Sequence, residues 1–211
     1  EAPNPCARSN SSGGRAVESG DGGWQCSQIV FVDGRYAPEL SSPDKSLTGV
    51  TVDSLAAVLK SEPEKIRPHL TRPLYGNSPF TALNTAFVQD GAFIHIAKGS
   101  IVPHPIHLLF VSTGAGKAVV AHPRNLILAD GETQAAVVET YAGMEESAHF
   151  TNALTQIVAG ENAALDYYRV QRESTQAFHV STVEIRQGRN SQVSSCSISL
   201  GAGLFRNDLN S

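Results

Sequence analysis

The sequence has little charge of either sign and no run of like charges. Charged residues make up 17% of the 211 residues, and 16 Lys and Arg against 20 Asp and Glu give a formal net charge of −4. A protein that binds nucleic acid generally shows a basic stripe, which this sequence lacks. Hydrophobic residues account for 41% of the chain, which is too high a fraction for a disordered protein. We therefore expect a globular chain with a hydrophobic core and without nucleic acid as a partner.

Long apolar runs, a C-x-x-C motif and common enzyme motifs are also missing. No segment reaches the roughly 20 apolar residues that a membrane-spanning helix needs, so we expect no membrane insertion. The three cysteines, Cys6, Cys26 and Cys196, include no C-x-x-C pair, which excludes a zinc ribbon and a thioredoxin-type motif. The sequence has no G-x-S-x-G, H-E-x-x-H or G-x-G-x-x-G, which excludes the hydrolase, metalloprotease and dinucleotide sites that these motifs mark.

The composition divides the chain into three parts. Residues 1–28 are rich in Ser and Gly, and this composition predicts a flexible low-complexity tail. Residues 29–88 begin with a short strand and continue with helical spacing, which predicts a small α-rich N-terminal domain. Residues 89–211 consist of short Val-, Ile-, Thr- and Tyr-rich runs separated by glycine turns, which is typical of β structure.

Three short helices are predicted within residues 29–88. Asp53 is expected to cap the first helix, and Pro63 and Pro79 suit the first turns of the second and third. The side chains predicted by their helical spacing to face the core are Leu55, Val58 and Leu59 in the first helix and Phe80, Leu83 and Phe87 in the third.

A repeat of nearly constant length runs through residues 89–211. Gly131, Gly160 and Gly188 open similar turns, and the two intervals between them differ by a single position. Apolar residues recur five and ten positions after these glycines, in the columns Ala136, Leu165, Val193 and Tyr141, Val170, Ile198. A constant period with apolar columns in phase predicts a solenoid, and we expect a parallel β-helix. The alternative is an antiparallel sandwich in which three similar turns recur by chance.

Histidine is the residue type in this sequence that is best suited to metal binding or acid–base chemistry. His104 and His107 form one close pair, but residues three apart in a strand point to opposite faces, and we expect ordinary strand-edge histidines. His149 and His179 are separated by close to one period of the predicted solenoid, so they could stack. Cys196 has serines beside it and no neighbouring base, so its expected role is that of a small strand residue.

Six segments of the chain resemble one known family. They are residues 30–41, 83–87, 90–96, 105–112, 122–127 and 206–210. In this order they are similar to the SufB/SufD family of the SUF system, whose members assemble iron–sulfur clusters. The last segment, Arg-Asn-Asp-Leu-Asn, is the most characteristic, and the resemblance covers nearly all of the chain from Ile29 onward.

The resemblance implies a right-handed parallel β-helix preceded by a small helical N-terminal domain. It also implies a non-catalytic scaffold subunit that acts with SufB-like and SufC-like (ATPase) partners, an iron–sulfur cluster being present transiently in the full complex. The expected location is the plastid stroma or the bacterial cytoplasm. In the family, the residues implicated in cluster formation follow the segment that matches 206–210, where this chain stops. We therefore carry over no catalytic, cofactor-binding or metal-binding residue and expect no cofactor on this chain alone.

Two other functions stay open at this point. One is a generic β-solenoid module that binds another protein. The other is a β-helical carbohydrate-active enzyme, which would need clustered acids. The acids of the β region are scattered instead: Glu132, Glu139, Glu161, Asp166, Glu173 and Glu184.

The predicted β-helix is incomplete at its C-terminal end. A final solenoid turn without a cap leaves apolar columns and strand edges in water. We therefore expect Leu200, Leu204 and Phe205 to be uncovered, and the fragment to form a homodimer through its β-helix or to aggregate. Sedimentation across a dilution series measures this, and a monomer at all concentrations would contradict it.

Overall fold

Two parallel β-sheets, wound by successive strands of the chain, form the body of the molecule. The computed structural model describes residues 25–70, 78–114, 118–143 and 148–211, so most of the predicted tail at residues 1–28 lies outside the described part. The helices are α1 Leu55–Ser61, α2 Pro63–Leu70 and α3 Pro79–Phe87. The strands are β1 Ser27–Val32, β2 Arg35–Tyr36, β3 Val50–Ser54, β4 Ala92–Ile96, β5 Ile106–Ser112, β6 Val119–Ala121, β7 Arg124–Ala129, β8 Gln134–Gly143, β9 His149–Ala159, β10 Ala164–Arg172, β11 Phe178–Gln187, β12 Gln192–Ser199 and β13 Leu204–Asn210.

The two sheets are built alternately, one strand at a time. Sheet A has the strand order β12-β10-β8-β5-β1-β2, and sheet B has the order β13-β11-β9-β7-β4-β3. From β7 to β13 each strand of one sheet is followed in sequence by a strand of the other, and neighbours within a sheet run parallel. One turn of this coil therefore consists of one strand from each sheet. The predicted parallel solenoid is confirmed, and the antiparallel sandwich is wrong.

The pairing of strands fixes which residues of successive coil turns are equivalent and corrects the predicted columns. Leu165 lies opposite Ala135 on one side and Val193 on the other, so the two successive turns are slightly unequal in length. The prediction placed Ala136 in this row and is wrong by one residue. The second column is also wrong by one residue, because Val170 lies opposite Ile198 and Thr140 rather than Tyr141. Tyr141 is buried in the core, whereas Ile198 is 47% exposed.

The turns that lead from sheet B to sheet A are stacked closely. Glu132, Asn162 and Asn190 follow β7, β9 and β11 and have φ values of 62°, 58° and 55°. This left-handed conformation is one that Asn adopts more readily than most residues. A Cβ atom added to Gly160 would lie 2.6 Å from the backbone nitrogen of Gly131. The neighbouring turn therefore requires glycine at position 160.

The hydrophobic core lies between the two sheets and is filled from both. Phe31, Phe110 and Tyr141 face inward from three neighbouring strands of sheet A, and their rings stack with centroids 4.8 Å apart at each step. Such stacked aromatic ladders follow from parallel pairing in register, because equivalent side chains are then one strand spacing apart. Sheet B contributes the apolar side chains Ala92, Ile94, Ile96, Ile127, Ala129, Ala153, Ile157, Val183 and Ile185.

The segment that was predicted as an α-rich N-terminal domain also contributes strands to the coil. β1 pairs in parallel with β5, and β3 pairs antiparallel with β4. β2 then pairs antiparallel with β1 and forms the outer strand of sheet A in the described part. Residues 29–88 therefore share backbone hydrogen bonds with the coil as well as supplying the helices.

Helices α1 and α2 cover the outer face of sheet B. Ser54 caps α1, since its Oγ accepts a hydrogen bond from the backbone N–H of Ala57 at 3.2 Å. The predicted cap at Asp53 is wrong by one residue. Leu59 is 43% exposed rather than buried as predicted. The buried apolar side chains of this contact are Leu55, Val58, Ile66, Phe93 and Leu126.

Helix α3 presents a polar face to the coil, contrary to the prediction. Its buried residues are Thr81 and Asn84, whereas Phe87 is 60% exposed. The side-chain amide of Asn84 donates to the backbone carbonyls of Pro123 and Asn152 at 2.9 and 2.8 Å. Leaving such buried carbonyls without donors would cost about 1–3 kcal/mol each. These hydrogen bonds therefore set the orientation of α3 and leave its apolar residues only partly covered.

We predict that Gly160→Ala destabilises the coil strongly. The new Cβ would meet backbone atoms of the preceding turn at 2.6 and 2.8 Å, and backbone cannot move aside as a side-chain end can. We expect the free energy of unfolding to fall by about 2–3 kcal/mol, measured by chemical denaturation. The control is Gly99→Ala, whose Cβ would meet nothing within 4 Å. Because the φ of Gly99 is +75°, we expect this variant to lose about 1 kcal/mol of the free energy of unfolding from backbone strain alone. Equal losses in the two variants would contradict the stacking argument.

Candidate functional site

Polar and ionisable side chains fill the interior between β8 and β11. Alternate residues of each strand face inward, and in this part of the coil many of them are not apolar. All are at most 7% exposed. This polar interior cluster consists of Glu139, Tyr141, His149, Thr151, Thr155, Tyr167, Arg169, Gln171, Glu173, His179 and Ser181.

Glu173 lies at the corner where β10 turns towards β11, and its carboxylate is held by two histidines. Oε2 lies 2.7 Å from Nδ1 of His179, and Oε1 lies 3.2 Å from Nε2 of His149. Thr151 donates to Oε1 at 3.0 Å and Gln171 donates to Oε2 at 2.9 Å. Each carboxylate oxygen therefore accepts two hydrogen bonds, from side chains of three successive strands.

The surroundings of Glu173 favour its charged form. Burial by itself would raise the pKa of this carboxyl group. The hydrogen bonds from His149 and His179, the charge of His179 and the hydrogen bond from Gln171 act in the opposite direction, and the pKa lies well below the ordinary value of a glutamate. A buried carboxylate of this kind stays ionised because its donors replace the lost hydration.

A second buried carboxylate, Glu139, is held by hydroxyl groups. The phenol of Tyr141 donates to Oε1 at 2.5 Å, and the phenol of Tyr167 donates to Oε2 at 2.8 Å. Thr155 on β9 also donates to Oε2, at 2.9 Å. Burial, and after it the charge of Glu139, raises the pKa of both tyrosines well above the ordinary value. Both phenols therefore stay protonated and act as donors.

Arg169 contributes a buried guanidinium to the cluster. Its guanidinium donates to the hydroxyls of Ser181 on β11 and Ser197 on β12. It also lies over the ring of Phe205 on β13, with Cζ 5.6 Å from the ring centroid. Arg169 thereby connects the turn of the coil that contains Glu173 to the next turn along the chain.

The polar interior cluster holds neighbouring turns of the coil together. Its carboxylates and imidazoles are occupied by one another and by hydroxyl groups, and a substrate would have to displace these partners in the closed interior. Among the described residues, no group of three or more His, Cys, Asp and Glu side chains could hold a metal ion. The arrangement joins β8, β9, β10 and β11 by side-chain hydrogen bonds in addition to the backbone ladders.

Of the two histidine pairs considered in the sequence analysis, only His149 and His179 come together at one group in the structure. His149 and His179 do not stack, because Thr151 lies opposite His179, but both bind the same carboxylate. His107 lies on β5, with Nδ1 3.0 Å from Gln28 and Nε2 2.9 Å from Thr140. His104 precedes that strand in a bend. The sequence pair is therefore not a joint site.

Cys196 lies on β12, opposite Tyr168 of β10, and is exposed. Cys26 is disulfide-bonded, and Cys6 lies outside the described residues.

The cluster around Glu139 and Glu173 was not found from the sequence. Both acids belong to segments in which successive side chains point to opposite faces of the sheet. Which of the two faces is the interior one depends on the register between strands, and an error of one residue exchanges the two faces.

Comparison with known families identifies the chain. The family model described as "SufBD protein N-terminal region" matches residues 23–108. The family model described as "SUF system FeS cluster assembly, SufBD core domain" matches residues 110–211. The chain belongs to the SufBD family. The resemblance seen in the six sequence segments is confirmed.

Individual SufBD relatives agree with this assignment. The chain is 30% identical over 191 residues to an iron–sulfur cluster assembly SufBD family protein of Synechocystis, covering 87% of this chain and 42% of the relative. It is 28% identical over 184 residues to the iron–sulfur cluster assembly protein SufD of Escherichia coli, covering 86% and 41%. A chloroplastic protein of Arabidopsis thaliana, ABCI7, is 27% identical over 136 residues, covering 62% and 29%. The chain thus spans about two fifths of the length of the first two relatives.

Two of the SufBD segments contain residues that attach α3 to the coil. Residues 206–210 lie in β13, where the guanidinium of Arg206 sits 5.8 Å from the ring centroid of Phe80 on α3. The same guanidinium donates to Asp208 through Nε at 3.0 Å. Residues 83–87 contain Asn84, the residue that anchors α3 to sheet B. These segments attach the helix to the coil.

We predict that Glu173→Gln lowers stability and removes part of the acid sensitivity. Because the pKa of Glu173 is depressed in the folded state, its stabilising contribution is complete above the ordinary carboxyl pKa and is lost as the pH falls below it. Disrupting a buried charged group of this kind costs about 3 kcal/mol at pH 7. Chemical denaturation from pH 7 to pH 3 measures both effects.

The control for this prediction is Glu132→Gln, at an exposed turn where the side chain is 58% exposed beside Lys98. We expect it to leave the free energy of unfolding within about 0.5 kcal/mol of wild type. Parallel pH curves for wild type and Glu173→Gln would show that the pKa of this carboxyl group is the same in the folded and unfolded protein, and would contradict the prediction.

Proposed function

We propose that this chain is part of a scaffold subunit of an iron–sulfur cluster assembly complex of the SUF type, and that it acts through protein partners rather than as an enzyme. The observation that carries the proposal is the match of both SufBD descriptions, which together span residues 23–108 and 110–211. The partners we propose are a SufB-like subunit and a SufC-like ATPase. A cluster would be present transiently in the complete complex.

The filled interior of the coil supports a non-catalytic role. Glu139 and Glu173, the two acids of the polar interior cluster, are both engaged by neighbouring side chains of the coil. A carbohydrate-active enzyme needs two carboxyl groups that reach the same sugar from a cleft. Glu132 and Glu161 stand instead at the turns after β7 and β9. These positions favour a scaffold over the carbohydrate-active alternative.

The proposed location is the plastid stroma or the bacterial cytoplasm. The relatives include a protein of Escherichia coli and a chloroplastic protein of Arabidopsis thaliana. In the part of the chain that the structure describes, no helix has the length and apolar character needed to cross a membrane.

The test of this function uses the complete protein in its own organism. We expect it to co-purify with SufB-like and SufC-like subunits, and its depletion to lower the activity of iron–sulfur enzymes such as aconitase. The double variant Glu132→Gln, Glu161→Gln should restore that activity fully, whereas it would be inactive if these acids were catalytic. Co-purification with neither subunit, together with unchanged aconitase activity, would favour a generic protein-binding solenoid and end the proposal.

We also predict that this chain alone holds no stable iron–sulfur cluster. Cys196 is the free thiol among the described residues, and a stable cluster generally needs several cysteine ligands. Anaerobic reconstitution with iron and sulfide should leave no stoichiometric absorbance at roughly 400 nm, where thiolate-bound clusters absorb. A stoichiometric band that disappears in Cys196→Ser would contradict this prediction.

A further inference from the structure

A groove on the outside of the coil is lined mainly by apolar side chains. It has a volume of about 410 Å³ and lies between α3, β6, the start of β9 and the turn that joins β1 to β2. Its lining includes Asp33, Leu83, Phe87, Val120, His122 and Phe150. We call it the outer groove. A volume of this size accommodates one or two large side chains of a bound segment.

Two large apolar side chains at the rim of the outer groove are exposed to solvent. Phe87 is 60% exposed and Val120 is 59% exposed, and they belong to different elements that meet at the groove. Phe87 has this exposure because Asn84, not the apolar face, anchors α3 to the sheet. Contiguous exposed apolar surface of this kind is typical of interaction sites.

His122 provides one oriented hydrogen-bond donor in the outer groove. Its Nδ1 lies 3.2 Å from the amide nitrogen of Asn152, and because an amide N–H donates, Nδ1 accepts and the ring proton is on Nε2. Burial lowers the pKa of His122, so the ring is neutral near pH 7. Asn152 is itself fixed, since it donates to the Phe80 carbonyl at 2.9 Å and its own carbonyl accepts from Asn84.

The ring of His122 is also held by aromatic neighbours. It stacks on Phe87 with centroids 5.7 Å apart and an angle of 28°, and meets Phe150 edge-on at 6.2 Å. These contacts and the bond to Asn152 fix the ring before any ligand arrives. A donor that is positioned in advance loses little entropy on binding.

Charge and backbone edges limit what can occupy the outer groove. Asp33 is the one formally charged residue among the described residues of the lining, and its carboxylate accepts from the N–H and the hydroxyl of Thr113 at 2.9 and 2.7 Å. A carboxylate in the lining of an otherwise uncharged groove is complementary to a basic group beside an apolar one. In the described residues β6 pairs only with β9, so its other edge faces no strand. An extended segment suits such an edge.

We propose that the outer groove binds an extended segment of a partner protein that carries an aromatic residue next to a Lys or Arg. The aromatic side chain lies between Phe87 and Val120, a backbone carbonyl accepts from Nε2–H of His122, and the basic group pairs with Asp33. This site goes beyond the proposed role in cluster assembly and does not depend on it, because it is argued from the groove alone.

The probes are three short peptides and the measurement is binding to the complete protein by saturation-transfer NMR. Acetyl-Lys-Phe-Val-amide is expected to bind saturably. Acetyl-Glu-Phe-Val-amide and acetyl-Lys-Ala-Val-amide are expected to bind at least about tenfold more weakly, because the first loses the charge pair and the second loses the aromatic anchor. Equal binding of the three peptides, or binding of none, would overturn the proposal.

Variants of exposed residues locate the site without disturbing the core. Val120→Lys and Phe87→Ser should each weaken the first peptide at least about tenfold, whereas Ile198→Ser, an exposed apolar residue of β12 outside the groove, should leave binding unchanged. His122→Phe keeps an aromatic ring but removes both the Nε2–H donor and the acceptor of the Asn152 amide, and should weaken binding by about fivefold to tenfold. Unchanged binding in Val120→Lys would overturn the proposal. So would self-association of the wild type that Val120→Lys abolishes, because a second copy would then be the occupant.

Discussion

The structure depends on stacking successive turns of one chain in register. A strand such as β10 has its backbone groups bonded to β8 on one side and β12 on the other, so no single turn is complete without its neighbours. The register keeps Leu165 level with Ala135 and Val193 although the two turns differ slightly in length. Close contact between turns at Gly160 and the shared left-handed conformation at Glu132, Asn162 and Asn190 are local consequences of the same stacking.

The buried carboxylates make this register specific. Glu139 takes its donors from β8, β9 and β10, and Glu173 takes its donors from β9, β10 and β11. A slip of one residue would turn such a side chain to the other face of its sheet and leave its partners without an acceptor. An apolar interior would tolerate such errors better, because dispersion contacts have no direction. The polar interior thus exchanges some stability for a single alignment of the strands, as buried polar groups do in some other folds.

The period of the glycine turns predicted the parallel coil, and the prolines at positions 63 and 79 placed the starts of α2 and α3. Single positions were less predictable. The cap of α1 is Ser54 rather than the predicted Asp53. The first apolar column contains Ala135 rather than the predicted Ala136, because the sequence does not show that successive turns differ in length until the strands are paired. Helix α3 was misjudged for another reason: the hydrogen-bond requirement of the Pro123 and Asn152 carbonyls outweighs the apolar face of the helix.

The same requirement links the interior of the molecule to its surface. Side chains with chemical capacity, including Glu139, Glu173 and His179, are buried and hydrogen-bonded to neighbouring side chains of the interior. Apolar side chains that could have joined the core, such as Phe87 and Val120, are left outside. The buried acids and histidines are therefore engaged within the fold, whereas the outer face leaves apolar area exposed beside the fixed ring of His122. Polar groups thus specify the alignment of the strands, and part of the apolar surface stays outside the core.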